Sequence, residues 1–105
     1  MNKQNIILIG MPGAGKSSVG VILAKVLGYE FIDTDLVIQH REKRLLREII
    51  ADEGNEGFLA IENEVNATLE ADKSVIAPGG SAIYGKEAME HFKEIGTIVY
   101  LKLSY

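Results

Sequence analysis

The stretch Gly10-Met11-Pro12-Gly13-Ala14-Gly15-Lys16-Ser17 constrains this chain more than any other, because it sets the spacing G-x-x-x-x-G-K-[ST] between an apolar run and a helical pattern. The run before it, Asn5-Ile6-Ile7-Leu8-Ile9, is short, apolar and rich in β-branched residues, as a strand buried on both faces of a parallel sheet should be. Glycines let the backbone turn tightly enough to aim successive N–H groups at one anion. Lys16 adds a compact positive charge suited to β- and γ-phosphates, and Ser17 adds a hydroxyl suited to Mg²⁺. The helix that begins here points its positive dipole end at the same place. A dinucleotide-binding G-x-G-x-x-G would need a third glycine where Ser18 stands. The stretch therefore reads as a cradle for a nucleoside triphosphate.

Composition narrows the partners. A chain of 105 residues, 47% hydrophobic and 25% charged, suits one domain spanning residues 1–105 with a single core. A net charge of −4 argues against a nucleic-acid or anionic-membrane surface. The basic cluster from Arg41 to Arg47 is interrupted by Glu42 and reads as a solvated face. With no cysteine, disulfides and thiolate metal sites are excluded. With no signal-like or long apolar span either, a cytoplasmic location is expected by elimination.

After the loop, Val19, Ile22, Leu23, Val26 and Leu27 recur at helical spacing, which predicts a helix with that stripe against the sheet and a stop at Gly28. Gly20 inside the helix predicts close packing against a neighbour. Tyr29 to Ile32 reads as a second strand, followed by Asp33-Thr34-Asp35. On extended backbone those two carboxylates would project to one side, towards the ligand crevice at the strand ends. They read equally as a polar turn with an N-cap for a helix starting near Leu36.

Leu36 to Glu53 is helical in pattern, with an apolar patch of Leu45, Leu46, Ile49 and Ile50 and a break near Glu42 to Arg44. Gly54 to Gly57 punctuates it. A further helix carries Phe58, Ile61, Val65 and Leu69 on one face, Glu62 at its flank and Asn63 and Asn66 further round, with Leu59 apolar but off that face. Ser74 to Ala77 reads as a third strand running into Pro78-Gly79-Gly80-Ser81, which is either a plain tight turn or a place where a ligand meets backbone. Gly85 to Ile95 is an amphipathic helix through Ala88, Met89, Phe92 and Ile95, with His91 on its exposed side. Thr97 to Leu101 is a fourth strand.

The order of these features resembles the shikimate kinase family: phosphate loop, D-x-D after the second strand, G-x-x-G-F-x-x-x-E from Gly54 to Glu62, and Ala77 to Ala82 around a glycine pair. The resemblance implies a three-layer α/β fold of the P-loop NTPase type, with a central parallel sheet in the order 2-3-1-4 and a fifth strand missing. It implies that Gly13, Ala14, Gly15, Lys16, Ser17 and Ser18 hold ATP phosphates, Ser17 coordinates Mg²⁺ and Asp33 supports that metal through water. Asp35 would hold and activate the acceptor hydroxyl, with Gly79 and Gly80 lining the substrate pocket. Three positions depart from the family pattern. Leu59 stands where an arginine would hold the substrate carboxylate, one turn before the Glu62 that would steady it, Ser81 stands for a third glycine, and Pro78 stands for a threonine or similar residue. Family members also continue beyond the fourth strand through a lid, so this length suggests a C-terminally truncated chain.

Two classes of function follow. One is a small-molecule kinase using ATP and Mg²⁺, with Lys16 and Asp35 catalytic and a small hydroxylated metabolite such as shikimate as acceptor, without nucleic-acid or membrane partners. The other is a nucleotide-binding module without turnover.

Overall fold

The central strand, β1 (Asn5–Gly10), alternates its apolar side chains between two covered faces. Ile7 and Ile9 join a core cluster with Ile76, Phe92 and Ile95, whereas Leu8 joins another with Val75 and Ala24. Period-two alternation sends successive residues to opposite faces, so a strand apolar at every position demands helices on both sides. The computed structural model describes residues 4–10 and 16–101, Lys16 and Ser17 by backbone alone.

Parallel strands β2 (Glu30–Asp33), β3 (Ser74–Ala77) and β4 (Gly96–Leu101) complete a sheet in the order β2-β3-β1-β4, as the family resemblance implies. Register sets Ile6 beside Val75 and Thr97, and Asp33 beside Ala77. Asn5, 3% exposed, locks the base of β1: its side-chain amide donates to the carbonyls of Ala71 (2.9 Å) and Ile95 (2.8 Å), and its Oδ1 accepts from Ser74 N (3.1 Å). A buried amide is tolerated only when so satisfied.

Helix α1 (Lys16–Leu27) ends as expected, with Gly28 at φ 71° in the left-handed region. Its inward face differs from the expected stripe. Ile22 and Val26 are 64% and 76% exposed, and Val19 and Leu27 are exposed too. The face against the sheet is Gly20, Leu23 and Ala24. Gly20 decides this: a Cβ there would stand 2.5 Å from the ring of Phe31 and 3.3 Å from Leu8, so the helix can seat closely only on its smallest residues.

Helix α2 (Thr34–Glu42) starts two residues before the expected Leu36, and Lys43 at φ 56° makes the expected break. Arg44 ties that break to the next helix, bonding Glu42 (3.1 Å), Asp52 (3.1 Å) and Glu53 (3.4 Å), so part of the basic cluster is an ion-pair network and not simply a solvated face. Helix α3 (Leu46–Ala67) is two helical lengths joined at a kink at Gly54, the expected punctuation, whose φ 75° and ψ 174° belong to glycine alone. Of the patch expected near its start, Ile49 is buried and Leu46 packs against it, while Leu45 and Ile50 are exposed. The face of Phe58, Ile61 and Val65 packs as expected with Ile38 and Ile49. Glu62 and Asn66 do not lie on an outer flank: they are 2% and 0% exposed.

A short 3₁₀ turn (Ala82–Tyr84) leads to α4 (Lys86–Ile95), whose Ala88, Phe92 and Ile95 are buried. Burying a phenylalanine fully contributes roughly 1.5–3 kcal/mol. His91 is half-buried, not exposed, because Nε2 donates to the Leu69 carbonyl (2.6 Å) just beyond α3.

Two outcomes are expected. Neither side-chain atom of Asn66 has a partner among the described residues, so Asn66→Leu should stabilise the fold by about 1–3 kcal/mol, read as a higher urea midpoint at unchanged m. Strand β4 pairs on one side only among the described residues, with Tyr100 62% exposed, so the 105-residue chain should self-associate in sedimentation experiments as its concentration rises.

Candidate functional site

Parallel register brings the carboxyl ends of β1, β2 and β3 to one rim of the sheet, where ligands of open α/β folds bind. Gly10 ends β1 and α1 begins at Lys16. Gly13, Ala14 and Gly15 lie outside the described residues, and of Lys16 and Ser17 only the helical backbone is described. Ser18 is exposed on the first turn of α1, which carries no acidic residue, so nothing in that turn opposes an anion at the helix dipole.

The D-x-D pair divides between two elements. Asp33 is the last residue of β2 and the N-cap of α2, and its Oδ1 accepts from Asp35 N at 2.9 Å. The expected N-cap is thus formed, but the two carboxylates do not share an extended backbone. Thr34 and Asp35 are already helical because the cap satisfies the backbone N–H at the second helical position. Its second oxygen has no partner among the described residues, and a hard carboxylate oxygen is the donor type Mg²⁺ takes. Among the described residues no three His, Cys, Asp or Glu side chains are grouped to hold a metal by themselves.

Asp35 instead turns towards the end of β3. A Cβ on Gly79 would stand 2.8 Å from Asp35 Oδ1 and 3.0 Å from Glu62 Oε2, so both carboxylates approach the same backbone point from different helices. The glycine turn is therefore both of its readings at once. Ala82 N donates to Gly79 O (3.1 Å) as in an ordinary turn, and Gly79 admits side chains where any other residue would displace them. Gly80 is exposed beside it.

Ser81 was singled out in the sequence only as a departure from the family's glycines. Its hydroxyl donates to Glu62 Oε1 at 2.7 Å, so Glu62 meets Ser81 with one oxygen and Gly79 with the other. The burial of Glu62 could have been suspected from its place one turn after Phe58 and one before Asn66, on a helix packed at both ends. Its bond to Ser81, 19 residues away, has no local signal. Beyond this pair a cleft of about 340 Å³ opens between α3 and α4, lined by Leu59, Glu62, Asn63, Ser81, Tyr84 and Lys86 among others. Asn63 Oδ1 accepts from Ala88 N (3.0 Å), holding the start of α4 against α3.

A parallel sheet in this order, flanked by helices and joined from its central strand to a helix through a glycine-rich loop, defines the α/β class of phosphate-loop nucleotide-binding folds. The chain belongs to the shikimate kinase family: the family model described as "Shikimate kinase" matches residues 12–105. It is 40% identical over 101 residues to shikimate kinase 2 of Yersinia enterocolitica, which covers 96% of this chain. It thus spans 58% of that relative's length. Among solved structures, shikimate kinase from Acinetobacter baumannii in complex with shikimate superposes with a TM-score of 0.87 at 36% identity, over 97% of this chain and 57% of that one. The Aquifex aeolicus shikimate kinase gives 0.82 at 32% identity, over 97% and 61%.

The close approach at Gly79 makes a direct prediction. Gly79→Ala should force both carboxylates aside and cost about 1–3 kcal/mol of stability, whereas Gly80→Ala, at the neighbouring exposed position, should cost less. Chemical denaturation of the two variants in parallel measures the difference.

Proposed function

We propose that the chain carries the nucleotide and acceptor sites of an ATP-dependent kinase that transfers the γ-phosphoryl group to a hydroxyl of a small, shikimate-like metabolite. Membership in the shikimate kinase family supports the reaction class. The observation that carries the reading for these residues is the convergence of Asp35 and Glu62 on Gly79 at the carboxyl end of the sheet.

Phosphoryl transfer is mostly positioning and charge neutralisation. In this reading Gly13, Ala14, Gly15 and Ser18 present backbone donors to the phosphates, and Lys16 draws negative charge towards the γ-phosphoryl oxygens. Asp35 accepts the hydrogen bond of the acceptor hydroxyl, fixes its direction and takes its proton as the oxygen attacks. Mg²⁺, held by Ser17 and by Asp33 through water, would supply neutralisation of the phosphate charge. Gly79 and Gly80 let the acceptor approach backbone. No described helix is long and apolar enough to cross a membrane, and a cytoplasmic enzyme is part of the same proposal.

Lys16→Ala and Ser17→Ala should each weaken Mg–nucleotide binding by roughly 1.5–3 kcal/mol in titration calorimetry, with unfolding midpoints close to the parent's. Asp35→Asn should keep nucleotide affinity while lowering turnover roughly 10²–10⁴-fold in a coupled ADP assay on the full-length protein. Saturable ATP binding with no acceptor-dependent ADP would identify a binding module instead. Unchanged nucleotide affinity in both loop variants would refute the phosphate-site reading.

A further inference from the structure

Two consecutive residues of α3 grip the two ends of the segment that joins β3 to α4. Glu62 accepts from the Ser81 hydroxyl at 2.7 Å, just past the glycine turn. Its half-buried neighbour Asn63 reaches the far end: Oδ1 accepts from Ala88 N at 3.0 Å, and Nδ2 donates to Glu87 Oε2 at 3.4 Å. Neighbouring residues of a helix point about 100° apart, so a single turn of α3 can hold both ends. Between them run the 3₁₀ turn Ala82–Tyr84 and Gly85, which with Lys86 wall the cleft opposite α3.

Helix α4 does not cap itself. Its N-cap residue is Gly85, which has no side chain to offer, and Ala88 N is the third N–H of the helix, a donor that an N-cap side chain ordinarily satisfies. Asn63 supplies that acceptor from another helix. Gly85 lies at φ −91° and ψ 107°, extended backbone open to any residue, so the conformation does not call for glycine. The asparagine does: a Cβ on Gly85 would collide with Asn63 Oδ1 and stand 3.0 Å from Asn63 Cγ. The side chain of Asn63 thus fills the space where a cap belonging to α4 would lie.

We infer that Asn63 is a positioning residue for the cleft: by capping α4 from α3 it fixes how far apart the two helices stand, and with that the place of the wall formed by residues 82–86. What the cleft holds, the acceptor, rests on the kinase reading above. A cap that only stabilised α4 would serve equally well from residue 85, within the helix it caps. A cap supplied by α3 also ties the wall to the helix that faces it.

The test is a double-mutant cycle in the full-length protein. Asn63→Ala leaves Ala88 N without its acceptor and should lower the urea midpoint. Gly85→Ser should lower it too, because its Cβ meets Asn63. Combined, the two should largely cancel, since serine at an N-cap with extended backbone has room once Asn63 is gone and can cap α4 from within. The midpoint of the double variant should therefore lie above that of either single variant. Amide hydrogen exchange then separates capping from positioning: in the double variant residues 88–95 should regain the parent's protection, whereas residues 82–86, no longer tied to α3 through Asn63, should exchange faster than in the parent. With shikimate as the acceptor probe, KM for shikimate should stay raised about tenfold in the double variant, equal to about 1.4 kcal/mol, with KM for Mg–ATP at the parent's value. Simple addition of the two midpoint shifts would overturn the interlock. Full recovery of exchange over residues 82–86 together with the midpoint would reduce Asn63 to an ordinary cap. A parent that forms no shikimate-dependent ADP would sink the kinase reading, while midpoint and exchange would still decide what Asn63 holds.

Discussion

Burial of β1 on both faces is the constraint from which the rest of the molecule follows. Every residue of Ile7-Leu8-Ile9 needs an apolar partner, and these come from α4 on one side and α1 on the other. Helices on both faces require parallel strands joined by right-handed crossovers, and parallel strands bring their carboxyl ends to one rim. The end of β1 at Gly10, Asp33 and the glycine turn after β3 therefore share a location although they lie far apart in sequence. Asn5 anchors the opposite end, fastening β1 to β3, to Ala71 ahead of it and to the last turn of α4 through three hydrogen bonds.

At the rim, packing depends on contacts too close for ordinary side chains. Gly79 has no side chain, and the space so left is taken by carboxylate oxygens from α2 and α3. Glu62 is held from two directions at once, which makes it a joint between the glycine turn and the cleft beyond. A buried carboxylate must have hydrogen-bond partners, and Ser81 supplies one, so what occupies position 81 is restricted by it.

Much of this was legible in the sequence where a local pattern carries the information. The four strands fall within a residue or two of their expected bounds, and α4 shows its buried face openly, because periodicity is a property of neighbouring residues. The strand order came from the family resemblance, not from any pattern in these residues. Periodicity failed for α1, where a stripe of larger apolar residues outweighs Gly20 and Ala24 in any count of hydrophobic positions. The sheet selected the small face because the backbone can come closer there. Asp35 was misplaced for a different reason: the cap formed by Asp33 starts α2 early and converts an apparently extended carboxylate into a helical one. The Ser81–Glu62 and His91–Leu69 bonds join residues about 20 apart and leave no trace in either neighbourhood.

The kink at Gly54 divides α3 into two lengths that need not keep a common phase. In an unbroken helix, a change of one residue's winding near Ile49 would rotate every later side chain by about 100°. That rotation would carry Leu59 and Glu62 away from the cleft. With the backbone reset at a glycine, the first length is free to follow α2 through Arg44 while the second keeps its own alignment with the glycine turn. Selection can then rewrite residues 46–53 almost as though they belonged to a separate module, and the part of the helix that lines the cleft inherits none of those changes.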